Sequence, residues 1–154
     1  MRTSPDPASK IPGRLLPQRY RSIDGLEIWV GRSDEGNDYL TTSLACGSDL
    51  FVHVEGSPGS HVVLRTEGHK NPPPESLLDA CALAVHFSKQ KGRQRASVHV
   101  AAIKGVRKPA SAKPGLVSVQ HGQTIRFRQD PQRLERILAT RIKEERTTAT
   151  VDKS

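Results

Sequence analysis

The sequence predicts an α+β domain: a central, largely antiparallel β-sheet, a buried helix packed on it, and a C-terminal amphipathic helix. Three observations carry that prediction. Short runs of alternating Val, Leu and Ile are separated by turn residues, the pattern of strands joined by short connections. Residues 75–90 are apolar nearly all round, as a helix buried against a sheet must be. Leu134, Ile137, Leu138 and Ile142 recur at helical spacing among charged residues. A chain of 154 residues fits one domain with tails and can bury a core without staples.

Residues 1–18 hold Pro5, Pro7, Pro12 and Pro17 and little that can pack, so a flexible basic arm is expected there. The domain is expected over 19–146 and a disordered tail over 147–154. Asp24-Gly25 is a two-residue turn signal and predicts a hairpin, Tyr20–Ile23 with Leu26–Gly31. Ser33 or Asp34 can cap a short helix carrying Leu40 and Leu44 on one face. Residues 49–65 read as two strands around a tight turn of Gly56, Pro58 and Gly59, with His53 and His61 flanking the turn.

Prolines 72–74 suit a helix's first turn, where a missing N–H costs nothing, and a helix to about Gln90 follows. Lys89 and Lys91 then complement the negative end of its dipole. Ala96–Lys104 reads as a strand with Val98 and Val100 inward. Leu116–Val119 and Thr124–Arg128 read as a hairpin around His121-Gly122, with Ile125 and Phe127 inward and Arg126 and Arg128 sharing the outer face. Asp130-Pro131 is an N-cap followed by a proline at the first helical position, and the helix it opens is expected to dock on the domain.

The charge is unevenly placed. Ten Lys and Arg residues and no acid lie between Asp79 and Asp130, against a net charge of +8 for the whole chain. Clustered charge of one sign is costly through self-repulsion and implies an anionic partner. The expectation is that folding gathers these cations into one surface beside the two histidines. No apolar run is long enough for a membrane span, and the N-terminus lacks a signal-peptide core, so a cytoplasmic location is expected. Cys46 and Cys81 read as free thiols.

Enzyme chemistry finds few supports. The six histidines include no helical i, i+4 pair, and the cysteine spacing fits no zinc knuckle, so no metal and no other cofactor is expected. Ser60 and His61 are neighbours, but adjacent strand residues point to opposite faces, and no Gly-x-Ser-x-Gly elbow is present. No catalytic residue is assigned. RNA binding remains, with cations on phosphates and His or Phe rings on unpaired bases. Few aromatics (Tyr20, Trp29, Tyr39, Phe51, Phe87, Phe127) favour recognition of shape and backbone over sequence.

Several motifs resemble one family. Asn37-Asp38, Leu40-Thr41, the run Asp49 to His53, and Pro58-Gly59-Ser60-His61 with two valines are similar to the NFACT-R domain. Lys104, Val106-Arg107-Lys108-Pro109 and Ala112-Lys113-Pro114-Gly115 continue the likeness, which spans about residues 18–128. Phe51 stands where that family usually has Trp, and Val98-His99-Val100 where it usually has Val-Asp-Tyr. The domain closes the multidomain elongation factors of ribosome-associated quality control, which bind the large ribosomal subunit and tRNA and direct untemplated tail addition. Stand-alone versions occur in bacteria. A chain of this length leaves no room for the tRNA-handling, helix-hairpin-helix and coiled-coil parts, so a stand-alone module is expected.

The resemblance implies an RNA-binding module, and structured RNA, tRNA or rRNA, is the expected target; from the residues themselves, His53, Ser60, His61, Arg65, Lys104, Arg107, Lys108, Arg126 and Arg128 are the expected contacts. Neutralising about five phosphates predicts a log-affinity slope of roughly −3.5 against log salt on single-stranded RNA. Two alternatives stay open. One is a protein-interaction adaptor that docks on the ribosome or a partner enzyme through the C-terminal helix. The other is an RNA-modifying or hydrolytic enzyme using His53 and His61.

Overall fold

Six strands form one fully antiparallel sheet in the order β1-β2-β4-β3-β5-β8. The strands are β1 (Gln18–Arg21), β2 (Glu27–Val30), β3 (Leu50–Val54), β4 (Val62–Leu64), β5 (Arg95–Ala102) and β8 (Gln123–Arg128). A separate two-stranded ribbon pairs β6 (Val106–Arg107) with β7 (Ser118–Val119). The helices are α1 (Asp34–Tyr39), α2 (Pro74–His86) and α3 (Pro131–Leu138). This computed structural model describes residues 11–143. Most of the expected N-terminal arm and all of the expected 147–154 tail lie outside the described residues.

Local chemistry explains the boundaries. The Ser33 hydroxyl accepts the Gly36 N–H and caps α1, which runs into a π-helical turn over Leu40–Leu44. Asp130 accepts the Gln132 N–H, and Pro131 opens α3. Pro74 opens α2, but that helix ends at His86, short of the expected Gln90. The chain leaves it to meet the 58–60 loop: Ser60 N–H donates to Phe87 O, and Lys89 N–H to Pro58 O. Lys89 and Lys91 therefore lie beyond the helix.

Two further expectations are corrected by pairing. Residues 49–65 do form an antiparallel pair, with Leu50 opposite Leu64 and Val52 opposite Val62. The connection is consequently a long loop and not a tight turn. The expected hairpin of 116–119 with 124–128 does not form. β7 pairs with β6 instead, and β8 pairs with β5. His121 (φ 63°) and Gly122 (φ 88°) take left-handed backbone angles where the chain swings from one sheet to the other. A Cβ on Gly122 would lie 2.6 Å from Val100 O, so only glycine lets the chain pass so close to β5.

The two faces of the large sheet are covered unequally. Val52, Val54, Val62, Leu64, Val98, Val100 and Phe127 bury one face against α2, and Ile137 of α3 joins this core. Leu134 and Leu138 pack there too, so α3 docks on its own domain. The second face has a smaller cluster of Leu40, Phe51, Val63, Ile103 and Val106, flanked by Trp29, Val117 and Val119. Both cysteines are free, and burial pushes the Cys81 thiol up to about 12.

Buried polar pins fix these layers. Asp79, with no exposed surface, accepts from Arg133 and Arg136 of α3 and from Ile23 N–H in the β1–β2 turn. Asp49 accepts from Cys46 and Thr66 N–H and pairs with Arg65 at 2.7 Å. His61 is buried, and both its ring nitrogens are engaged. Gly115 O at 3.2 Å can only accept, so Nε2 carries the proton, and Nδ1 accepts the Thr41 hydroxyl at 2.8 Å. Asn37 Oδ1 accepts the His61 N–H. The imidazole thus ties β4 to the α1 unit and to the loop before β7.

Two outcomes follow from these pins. Asp79→Ala leaves Arg133 with Glu75 as its other carboxylate and strands the α2–α3 contact, so stability should fall by about 3 kcal/mol or more in urea unfolding. A loss below about 1 kcal/mol would show that the triad is not what holds α3. Burial, then the nearby His53, lowers the His61 pKa to about 4. The unfolded imidazole takes its proton near 6.5, so between those values the unfolded chain binds more protons than the folded one. The His61 contribution is therefore complete above pH 6.5, and up to about 3 kcal/mol is lost as pH falls toward 4. His61→Gln should flatten stability against pH in that window; an unchanged slope would refute the assignment.

Candidate nucleic-acid interface

The second face of the sheet is left open where β3, β5 and β8 lie side by side. Strand register decides what stands there. Arg95 faces Arg128, Ser97 faces Arg126, and His99 faces both Thr124 and His53. Paired residues share a face, so His53, Glu55, Arg95, Ser97, His99, Thr124, Arg126 and Arg128 occupy one surface. Phe127 and Val98 lie on the opposite, buried side.

Arg93, Arg95, Arg126 and Arg128 line one open groove at the edge of this surface, with Gln90, Ser97 and Glu55. All four arginines are exposed, and none forms an ion pair among the described residues. Arg126 and Arg128 are two residues apart on one strand face, about 7 Å at strand rise. Glu55 is the acid of the groove. It accepts from the Thr124 hydroxyl and from His99 Nδ1, and these bonds hold its carboxyl below the usual range.

A second cavity, of about 360 Å³, adjoins the first through Glu55, which lines both. Its walls include Phe51, His53, His99, Leu116, Val117 and Val119. The His53 ring stacks with Phe51 at 6.1 Å and meets His61 edge-on at 5.7 Å. Burial chiefly lowers the His53 pKa, although its Nε2 lies 3.3 Å from Gly59 O.

The remaining expected contacts are dispersed. Arg65 stacks on Trp29 at 4.0 Å and pairs with buried Asp49. Lys108 pairs with Asp38 at 3.1 Å and donates to the carbonyls of Lys113 and Leu116, so it clamps the loop before β7. Ser60 lies in another groove, with Arg32, Asn37 and Lys89. Lys104 and Arg107 are exposed at the C-terminal end of β5, and Arg107 curls back on Lys104 O at 2.6 Å. The arginine groove is at the N-terminal end of that eight-residue strand, about 25 Å away. The single cationic surface expected from sequence is therefore divided: the four arginines adjoin the imidazoles, Lys104 and Arg107 stand at the far end of β5, and Lys89 lines the Ser60 groove.

Arg93 and Arg95 were missing from the expected contacts. They belong to the acid-free window, but only the register of β5 on β8 places Arg95 opposite Arg128.

Known proteins share this architecture. The profile described as the NFACT protein RNA binding domain matches residues 17–121. The Rqc2 homolog RqcH of Bacillus subtilis is 37% identical over 114 residues, 74% of this chain and 20% of that protein. RqcH of Streptococcus suis is 36% identical over 118 residues, 76% of this chain and 21% of that protein. This chain thus spans about a fifth of the length of these curated relatives. A solved structure, the C-terminal part of the fibronectin/fibrinogen-binding protein from Streptococcus suis, superposes with a TM-score of 0.74 at 32% identity. That match covers 88% of this chain and 54% of the solved one. With a matching profile over most of its length and relatives above 30% identity, the chain belongs to the family of the NFACT protein RNA binding domain.

Proposed function

We propose that this chain is a non-catalytic RNA-binding module of the cytoplasm, acting on tRNA or ribosomal RNA in ribosome-associated quality control. The observation that carries the reading is the arginine groove: four exposed guanidinium groups without ion-pair partners, three on an edge strand and the strand beside it and Arg93 in the loop that leads into β5. Arginine is suited to phosphate because its planar fork donates two parallel hydrogen bonds. The spacing of Arg126 and Arg128 suits neighbouring phosphates of one strand. The relatives' names support the link to quality control, since Rqc2 homologs RqcH carry the matching segment. The large ribosomal subunit is then the natural site of action.

The geometry narrows the contact set. The proposed contacts are Arg126 and Arg128, joined by Arg93 and Arg95. Lys104 and Arg107 form a second, separate cationic point. Arg65, Lys108 and His61 act within the fold, and Ser60 lies outside both cavities of the open face. The adaptor alternative loses its helix, because α3 spends its apolar stripe on α2. The catalytic alternative has less support, because His61 is buried with both ring nitrogens bonded within the fold.

Four phosphate contacts give a log-affinity slope of about −3 against log salt on single-stranded RNA, shallower than five would give. The triple variant Arg95→Gln, Arg126→Gln and Arg128→Gln should weaken binding of unfractionated tRNA by at least about tenfold. It should also bring the slope on single-stranded RNA to about −1. Lys104→Gln with Arg107→Gln should change the slope by less. If the triple variant binds tRNA as wild type does, the groove is not the RNA site.

A further inference from the structure

We infer that the cavity beside the arginine groove receives one unpaired nucleobase of the RNA strand whose phosphates the arginines hold. The inference rests on the RNA-binding reading above and adds to it a seat for a base. Three independent features converge on it.

The first is the chemistry of the walls. One side is built of rings, Phe51, His53 and His99, and the other of Leu116, Val117 and Val119. Leu116 is half exposed at the rim, where its apolar side chain can meet a guest in the cavity. A flat, aromatic, weakly polar guest satisfies both sides at once. At about 360 Å³ the cavity lies within the range of small-ligand pockets, roughly 300–1,000 Å³.

The second is continuity with the cation groove. The two cavities share Glu55, and the rows of the sheet run from one into the other. The pocket lies at the row of His53, His99 and Thr124. Arg126 stands one row further, and Arg95 with Arg128 one row beyond that. Rows on one face are about 7 Å apart, so a base seated at the first row has cations near the next two phosphates. An acidic peptide would match the arginines but would leave the ringed wall without a flat partner.

The third is Glu55 itself. One carboxylate oxygen accepts from Thr124 and His99, which fixes the side chain at the boundary of the two cavities. An acid in a phosphate groove opposes binding unless it accepts a hydrogen bond from the ligand. Exocyclic amino groups supply such a donor, whereas uracil's one base-edge donor, N3–H, lies between two carbonyls that repel the carboxylate. The pocket therefore favours adenine, cytosine or guanine over uracil.

The test compares two ten-nucleotide RNAs with equal phosphate counts: oligoadenylate, and the same strand with four central abasic positions. Binding is measured by fluorescence anisotropy across a salt series. The inference predicts about tenfold weaker binding of the abasic strand with an unchanged salt slope. Leu116→Ser, at the exposed rim, should weaken the intact strand severalfold and leave the abasic strand unaffected. Replacing the central adenosines by uridines should cost affinity, and Glu55→Gln should reduce that preference. Equal affinity for the intact and abasic strands would overturn the base seat while leaving the arginine groove intact. Failure of both strands to bind would overturn the RNA reading as well.

Discussion

The register of β5 between β3 and β8 is the constraint on which the rest of the molecule depends. Val98 and Val100 of β5 lie beside Val54 and Val52 on one flank, and Val98 also faces Ile125 on the other. All of these join or pack on the core under α2. Because side chains alternate, the same register sends Arg95, Ser97 and His99 to the open face. A slip by one residue would bury the arginine and the histidine and expose the valines. Core and interface are thus two consequences of one pairing, and neither can be altered without the other.

Unequal covering of the sheet turns that register into a site. The face under α2 and α3 is fully occupied. The opposite face is capped by the α1 unit and the loop between β6 and β7, over β2, β4 and part of β3. Polar pins hold this cap where apolar contact is thin. His61 reaches Thr41 on one side and Gly115 on the other, and Lys108 ties Asp38 to the same loop. Gly31 belongs to this arrangement, since a Cβ there would fall 1.9 Å from Asn37 Oδ1, the acceptor of the His61 N–H. The cap stops short of β5 and β8, and its edge, at Leu116 and Val117, becomes one wall of the cavity. The histidine least available to a ligand therefore shapes the surface that a ligand would meet.

Signals within a few residues of each other were legible in the sequence. The Ser33 cap, Pro74 and Asp130-Pro131 set element ends through local hydrogen bonds and fixed backbone angles, and the structure keeps them; Asp24-Gly25 does mark the β1–β2 hairpin, but the connection is a three-residue loop, Ile23 to Gly25, and not the two-residue turn expected. The fold class and the docked C-terminal helix follow from period and amphipathicity, which are also local. What sequence could not supply was the choice among distant partners. β7 and β8 have comparable strand patterns and are near in sequence, yet their partners are β6 and β5. Arg65 and Lys108 looked like ligand contacts because Asp49 and Asp38, 16 and 70 residues away, gave no sign of reaching them. His61 looked like a surface group for the same reason. The family resemblance pointed to the family that the matching profile shows, but it did not say which cations are spent inside the fold.

The opposition of Arg95 and Arg128 is the detail that sequence reasoning could least have foreseen, and it bears most directly on function. Like charges directly across an antiparallel pair oppose folding by roughly 0.2–1 kcal/mol. Several arginines elsewhere in the chain are neutralised: Arg19 meets Glu27, Arg65 meets Asp49, and Arg133 meets Glu75 and Asp79. At this edge it supplies no such carboxylate, and Glu55 is turned toward Thr124 and His99. A bound phosphate removes the repulsion and adds charge-assisted hydrogen bonds, so part of the binding free energy is relief of a cost already present in the free protein. Exposed cations on an edge strand also discourage strand-to-strand association of the sheet. That second effect needs only one charge on the strand, whereas the paired arginines and the ringed cavity beside them suit the proposed ligand, an anionic polymer that carries flat bases.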